Sequence, residues 1–221
     1  MLAPNRTLTD LHEPERTMAT KAIISYDDTQ NDHDALMLGR VLAEAGAELT
    51  LAYVRHTTQA ERRVVVSGST AEGLKWLAEE EDADIIVFGS DYRTTPGHVV
   101  PQRSAEKLLE GGSTAVAIAP ANYRDVGADD DHRMRTIGVL AAPGDDAAIA
   151  TARELADSFA ATLTRDEPRV DLLVVGSRPE APEGRVMISA QSERAIEDAT
   201  APVLVLARGL PVSFPALAAA A

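Results

Sequence analysis

The phrase that most constrains this chain is written in it twice. DIIVFGS (residues 84–90) and DLLVVGS (171–177) each set an Asp, four apolar residues and Gly-Ser ahead of a polar loop, with a further glycine at Gly97 and Gly184. Asp84 and Asp171 are 87 residues apart, and the same offset relates Gly89 to Gly176, residues 115–119 to 202–206, and SAEKLLEGG to QSERAIEDA without a gap. Earlier blocks align differently, with Ile23 to Ile137 and GAELT to AATLT both 114 apart. A single supersecondary unit written twice reconciles the two offsets if the second copy lacks 27 residues between Thr164 and Val170.

Apolar runs at 22–26, 49–54, 64–66, 85–88 and 114–119 predict strands, with helices over 34–45, 70–81 and 104–110 between them. The alternation restarts with strands at 137–141, 170–175 and 203–206 and helices at 146–160 and 189–198. Strands that are apolar throughout belong to a parallel sheet buried on both faces, so the fold class is α/β. The divisions are an N-terminal arm (1–19), a first domain (20–121), an acidic linker (122–134), a truncated second domain (135–209) and a C-terminal tail (210–221). Truncation leaves three strands in the second copy and predicts that residues 137–141 lie at an open sheet edge. Such an edge invites pairing, which a second copy of the chain or residues 2–17 of the arm would satisfy.

Composition removes several function classes. A net charge of −14 over 221 residues opposes the phosphate neutralisation that nucleic-acid binding needs, and it opposes anionic membrane surfaces. The absence of cysteine removes disulfides, thiolate metal sites and cysteine nucleophiles. No apolar run is long enough to span a bilayer and no signal-peptide pattern opens the chain, so a cytoplasmic address is expected. The five His show neither paired metal spacing nor a base–nucleophile arrangement, so neither a metal site nor catalysis is expected.

The pieces KAIISYDDT, DALMLGRVLAEAGAELTLAYV, DADIIVFGS and SAEKLLEGGSTAVAIAP, then VDLLVVGS and SERAIEDATAPVLVLAR, resemble the universal stress protein family in order and spacing. The resemblance is to a tandem member whose second repeat is shortened. It implies a Rossmann-like, HUP-type parallel sheet in the order 3-2-1-4-5 for the first half, and a regulatory or protective role in the stress response. It also implies ATP, with Mg, beside the ends of strands one and four. Sheets in this family pair through their fifth strands, which implies a homodimer or higher oligomer through sheet edges, or internal pairing of the two halves. The protein partner is unknown.

Carried onto this chain, the nucleotide contacts fall on Asp27, Thr29, Val54, Gly89, Ser90 and Arg103. Asp27 would accept from a nucleoside hydroxyl, and Val54 ends the strand that walls the base pocket. Gly89 and Ser90 open the phosphate loop, where glycines let backbone amides approach oxygen. The match is incomplete: Asp28 replaces a glycine, Tyr92 replaces the second loop glycine, and Gln102 and Arg103 replace the Gly-Ser pair. Arg103 could answer a phosphate that the lost amides no longer hold. The second half lacks the Asp, with Ala141 or Ala142 in its place; Pro179 replaces a glycine, and Ser189 and Ala190 replace the Gly-Ser pair. A nucleotide is therefore expected in the first half or nowhere.

Plainer roles compete for the same residues. Asp27 could cap the following helix, and Asp32, His33 and Asp34 read as a solvated helical turn. Arg103 reads as an exposed first-turn side chain, and Tyr92 as an aromatic filling the vacated pocket or stacking on a base. SGST (67–70) reads as a turn into a helix capped by Ser69 or Thr70. The alternative to a nucleotide binder is a nucleotide-free scaffold acting by protein association. An adenine-nucleotide hydrolase is the weakest reading, because no general base is apparent.

Overall fold

The computed structural model describes residues 19–55, 64–125, 133–165 and 169–214. The first half runs β1 (Lys21–Ser25), α1 (Gln30–Glu44), β2 (Glu48–Arg55), β3 (Val64–Val66), α2 (Thr70–Glu81), β4 (Ile85–Gly89), α3 (Arg103–Leu109) and β5 (Ala115–Ala119). After a 3-10 turn at Tyr123–Asp125, the second half runs β6 (Thr136–Leu140), α4 (Asp146–Phe159), β7 (Thr162–Thr164), β8 (Leu172–Val175), α5 (Ala190–Glu197) and β9 (Val203–Val205). The nine strands of the described residues form one sheet in the order β3-β2-β1-β4-β5-β9-β8-β6-β7. Every pairing is parallel except β5 with β9.

Strand character follows from burial on both faces. All five residues of β4 and of β5 are buried. Side chains alternate between two cores, so Ala22, Ile24, Ile85 and Val87 pack under α1, while Ile23, Ile86 and Phe88 pack under α2 and α3. The first core continues without a break through Ala117 and Leu204 to Ile137, Val139 and Leu155 of α4. Helices begin where short polar side chains take up free amides. Ser69 accepts from Glu72 N–H at 3.3 Å, Asp145 from Ala148 N–H at 3.2 Å, and Ser189 from Ser192 N–H at 3.1 Å. The SGST turn is thus capped by Ser69.

The join between the halves has a local two-fold character. Val116 pairs with Val205, Ala117 with Leu204 and Ile118 with Val203, so residues separated by 87 exchange partners about Ala117 and Leu204. Flanking loops repeat the exchange: Val99 N–H donates to Ala199 O at 3.3 Å, and Val186 N–H donates to Gly112 O at 2.8 Å. An antiparallel contact of a surface with its own equivalent is the geometry of an isologous interface, here made within one chain.

Three expectations need correction. The second half has four strands rather than three, because residues 162–164 form β7, which pairs Thr136, Ile137 and Gly138 through Thr162, Leu163 and Thr164. A tight turn explains it: Ala160 adopts a left-handed φ of +51° and Ala161 N–H donates to Ala156 O at 2.7 Å, returning the chain beside β6. The strand placed at 137–141 is Thr136–Leu140, and its first three residues are not an open edge. The arm at 2–17, the other expected cover, lies outside the described residues.

The alignment of Ile23 with Ile137 is also one residue out. Ala22 lies beside Ile85 and Ile137 beside Leu172, so Ile137 takes the place of Ala22 at an offset of 115. The physical reason is facing: a one-residue slip moves a strand side chain to the other core, and Ile137 shares a core with Ala22, not with Ile23. Gly138 stands where Ile23 would, and a Cβ there would lie 2.8 Å from Val170 Cγ1. Val170 thus fills part of the face that α2 covers in the first half. The C-terminal segment is anchored as far as Phe214, with Val212 N–H donating to Thr151 Oγ1 and Phe214 N–H to Glu154 Oε2, each at 2.8 Å. Among the described residues no helix is long and apolar enough to cross a membrane.

Candidate functional site

In an open α/β sheet, ligand crevices form at the carboxyl ends of strands where the strand order reverses. This sheet has two such points, one between β1 and β4 and one between β6 and β8. The first is where the sequence places its candidate residues. Asp27 and Thr29 follow β1, Gly89 ends β4, Ser90 follows it, and Arg103 opens α3. Val54 lies in β2 paired with Val65.

The loop after β1 is closed by Asp32. Its Oδ2 accepts from Asp27 N–H at 2.9 Å, Thr29 N–H at 2.9 Å and Thr29 Oγ1 at 2.6 Å. The Thr29 hydroxyl is therefore engaged inside the loop, while Asp27 is exposed. Asp28, standing where the family has glycine, takes the left-handed φ of +63° that glycine would take. Its Oδ1 accepts from Tyr26 Oη at 3.0 Å, and that bond is the main influence pushing the Tyr26 phenol up; His33 Nε2 lies 3.2 Å from Tyr26 Oη.

Asp32 and Asp34 are buried rather than solvated, which corrects the sequence reading. Asp34 accepts from Asn122 N–H at 2.9 Å and Arg124 N–H at 3.1 Å, with Arg124 Nη1 4.0 Å away. Arg124 Nη1 also donates to Gln30 O at 2.7 Å. Burial holds the Asp34 carboxyl above the ordinary range, opposed by the two backbone N–H groups. The segment after β5 is thereby tied down over the start of α1.

Gly89 and Ser90 have structural duties. A Cβ on Gly89 would collide with the Asn31 carbonyl, so glycine here lets α1 cross β4 closely. Ser90 is buried; its hydroxyl donates to Ala119 O at 2.7 Å and accepts from Val100 N–H at 3.3 Å. Gln102, at the lost glycine position, donates from Nε2 to Gly89 O at 2.9 Å. Arg103 is exposed, and its side chain makes no hydrogen bond or ion pair among the described residues. Tyr92 does not fill the crevice: it is 70% exposed, with the Arg93 guanidinium 4.9 Å from its ring centre.

The second crevice uses the same frame. Ser177 Oγ donates to Leu206 O at 2.7 Å and accepts from Met187 N–H at 3.1 Å, each partner 87 residues beyond its counterpart at Ser90. Gly97 N–H donates to Ala121 O and Gly184 N–H to Arg208 O, both at 2.8 Å. Gly97 and Gly184 have φ of +80° and +72°, which gives the extra glycine its role: a left-handed turn within the loop. What differs is the helix start. Gly176 accommodates the Asp145 carboxylate, which a Cβ would strike, instead of a helix backbone. Asp145 Oδ2 is buried without a hydrogen-bond partner among the described residues. Burial pushes the Asp145 carboxyl up, with the Ala148 N–H opposing, Asp146 adding and Arg208 opposing. A cavity of about 580 Å³ opens here, lined in part by Ala142, Asp145, Ser177, Pro179, Glu183 and Arg208.

Sequence reasoning missed this cavity, Asp145 and Arg208, and did not foresee the bonds that Asp34 and Gln102 make. PGDD (143–146) was the available signal for Asp145, since a turn followed by Asp is a helix start. Among the described residues no three His, Asp or Glu side chains are placed to hold a metal ion.

One doubly wound sheet with two reversal points defines the class: a Rossmann-like α/β protein. Residues 13–120 match the model of the universal stress protein family. No curated protein matches the sequence. Among solved structures, a universal stress protein from Archaeoglobus fulgidus DSM 4304 is similar at 12% identity and a TM-score of 0.60, over 86% of this chain and 98% of that one. A functionally unknown protein from Pseudomonas aeruginosa PAO1 is similar at 14% identity and a TM-score of 0.62, over 86% of this chain and 93% of that one. At these identities the likeness is one of fold.

Proposed function

We propose that the protein has a regulatory or protective role in the stress response and acts without chemistry of its own, as an internally paired scaffold. The observation that carries this reading is the inward use of first-half groups that would face a nucleotide. Ser90 is bonded to Ala119, the Gly89 carbonyl to Gln102, and the Thr29 hydroxyl to Asp32. On this reading the second half is an abbreviated copy of the first, and the β5–β9 ladder replaces pairing between separate family members. The outer edges, β3 and β7, are then the routes left for a partner protein or a second copy.

The second reading is Mg-ATP in the first half, supported by the exposed Asp27 and by an exposed Arg103 that has no ion pair among the described residues, both at one end of the sheet. Thermal denaturation with and without Mg-ATP separates the two. A ligand at a hundred times its dissociation constant stabilises by about 2.7 kcal/mol. The scaffold reading expects no such shift and no adenine absorbance released on denaturing the purified protein. A shift abolished by Asp27→Ala would replace it with the nucleotide reading, and phosphate release sensitive to the same substitution would point to a hydrolase.

A further inference from the structure

The second-half cavity has the volume of a small-molecule site, and its exposed Arg208 lies near enough to Asp145 to favour the charged carboxylate without reaching ion-pair contact among the described residues. Four charged side chains line it: Asp145, Asp146, Glu183 and Arg208. Arg208 is steadied by one bond, from Nη1 to Ala181 O at 2.6 Å. A guanidinium carries five N–H donors in a planar fork suited to a carboxylate. Yet Arg208 forms no ion pair among the described residues, although three carboxylates share its cavity. Asp146 and Glu183 also lack a side-chain hydrogen bond or ion pair there. In the first half, by contrast, Asp34 and Arg124 meet, and Asp28 meets Tyr26 and His33.

Unlike charges that line one cavity without touching leave space for a molecule bearing the complementary set. A polyphosphate would meet three carboxylates at close range. A plain amine would leave Arg208 unanswered, and a plain acid would leave the carboxylates unanswered. We propose that this cavity binds a basic amino acid or a close chemical relative, its carboxylate on the Arg208 fork and its cationic nitrogens among Asp145, Asp146 and Glu183. The apolar walls from Ala142, Pro143, Ala147 and Pro211 suit the methylene chain between the two ends. A cation arriving beside Asp145 also offsets the cost of holding its carboxylate in a partly buried site. The site is independent of the first-half crevice, so the nucleotide question does not decide it.

Calorimetric titration of the full chain with L-arginine and L-lysine tests the proposal, with agmatine and cadaverine as counterparts lacking the carboxylate. At least one amino acid should bind, and its amine should bind about tenfold more weakly, as expected for loss of a charge-assisted pair. Arg208→Gln should erase that preference, and Glu183→Gln should weaken the amino acid while leaving the fold intact by circular dichroism. The Glu183 variant matters because its side chain makes no hydrogen bond or ion pair among the described residues. No binding of either amino acid at millimolar concentration, or equal affinity in the Arg208→Gln chain, would overturn the proposal. Competition by Mg-ATP that also depends on Arg208 would overturn it in favour of a nucleotide.

Discussion

The two strand-end loops, 89–100 and 176–187, share a hydrogen-bond frame but not the chemistry around it. In both, a buried serine bonds the carbonyl that closes the neighbouring strand, and a left-handed glycine turns the chain back. In the first half, Asp34 draws the segment after β5 over the start of α1 and Gln102 bridges to Gly89. In the second half the equivalent region opens into a cavity whose charges do not pair with one another. A loop frame specifies where a crevice stands. The residues that begin the neighbouring helix and follow the last strand decide whether it stays open.

Paired substitutions can break or sharpen that contrast. The largest difference is expected between Gly89→Ala and Gly176→Ala. The first drives a Cβ into the backbone of α1, which can yield only by moving the helix, and should cost about 3 kcal/mol. The second meets the end of the Asp145 side chain, which can rotate, and should cost about 1 kcal/mol. Equal costs in urea denaturation would mean that both helices are held alike. Next, Asp34→Ala should cost about 2–3 kcal/mol, since it strands two backbone N–H groups and leaves Arg124 unpaired. It should also speed proteolysis after residue 120 relative to the rest of the chain.

Ser90→Ala and Ser177→Ala should lower stability by nearly the same amount, about 1–2 kcal/mol each, because the short bond to the neighbouring strand and the loop N–H bond occur at both. A clear difference between them would show that the shared frame is unequally loaded. The smallest effect is expected at Asp145. Its pKa is raised on folding, so its favourable contribution is present below the unfolded value of 3.8 and is lost as pH rises through the folded value. Asp145→Asn should therefore denature at slightly higher urea than the parent at pH 7, and that advantage should fade as the pH is lowered toward 4. An advantage that grows in acid would reverse the assigned sign.

Much of the sheet was legible because strand burial is written locally. Runs such as IIVFG and AVAIA can only be strands covered on both faces, and the constant offset of 87 places β8, the following loop, α5 and β9 against known counterparts. The β7 stub was not legible, since three residues carry too little periodicity to separate a strand from a turn. Ile23 and Ile137 looked equivalent because their letters agree, whereas the register follows the side facing each core. At the candidate site, sequence placed Asp27, Thr29, Gly89, Ser90 and Arg103 at one end of the sheet. It could not show that Thr29, Gly89 and Ser90 are engaged internally, because their partners lie elsewhere in the chain or depend on side-chain direction.

By itself, then, the sequence determined the α/β architecture and the place of both strand-end loops, because each rests on apolar period and turn residues over a few positions; the order of the first five strands came only from the family resemblance. Only the tertiary structure decided that β5 would meet β9, that β7 would shield β6, that Asp34 would hold the segment after β5 over α1, and that a cavity would open beside Asp145. Those outcomes depend on groups far apart in the chain, such as Asp34 and Asn122, separated by 88 residues. Their meeting is fixed by packing of the whole sheet, and no short stretch of letters encodes it.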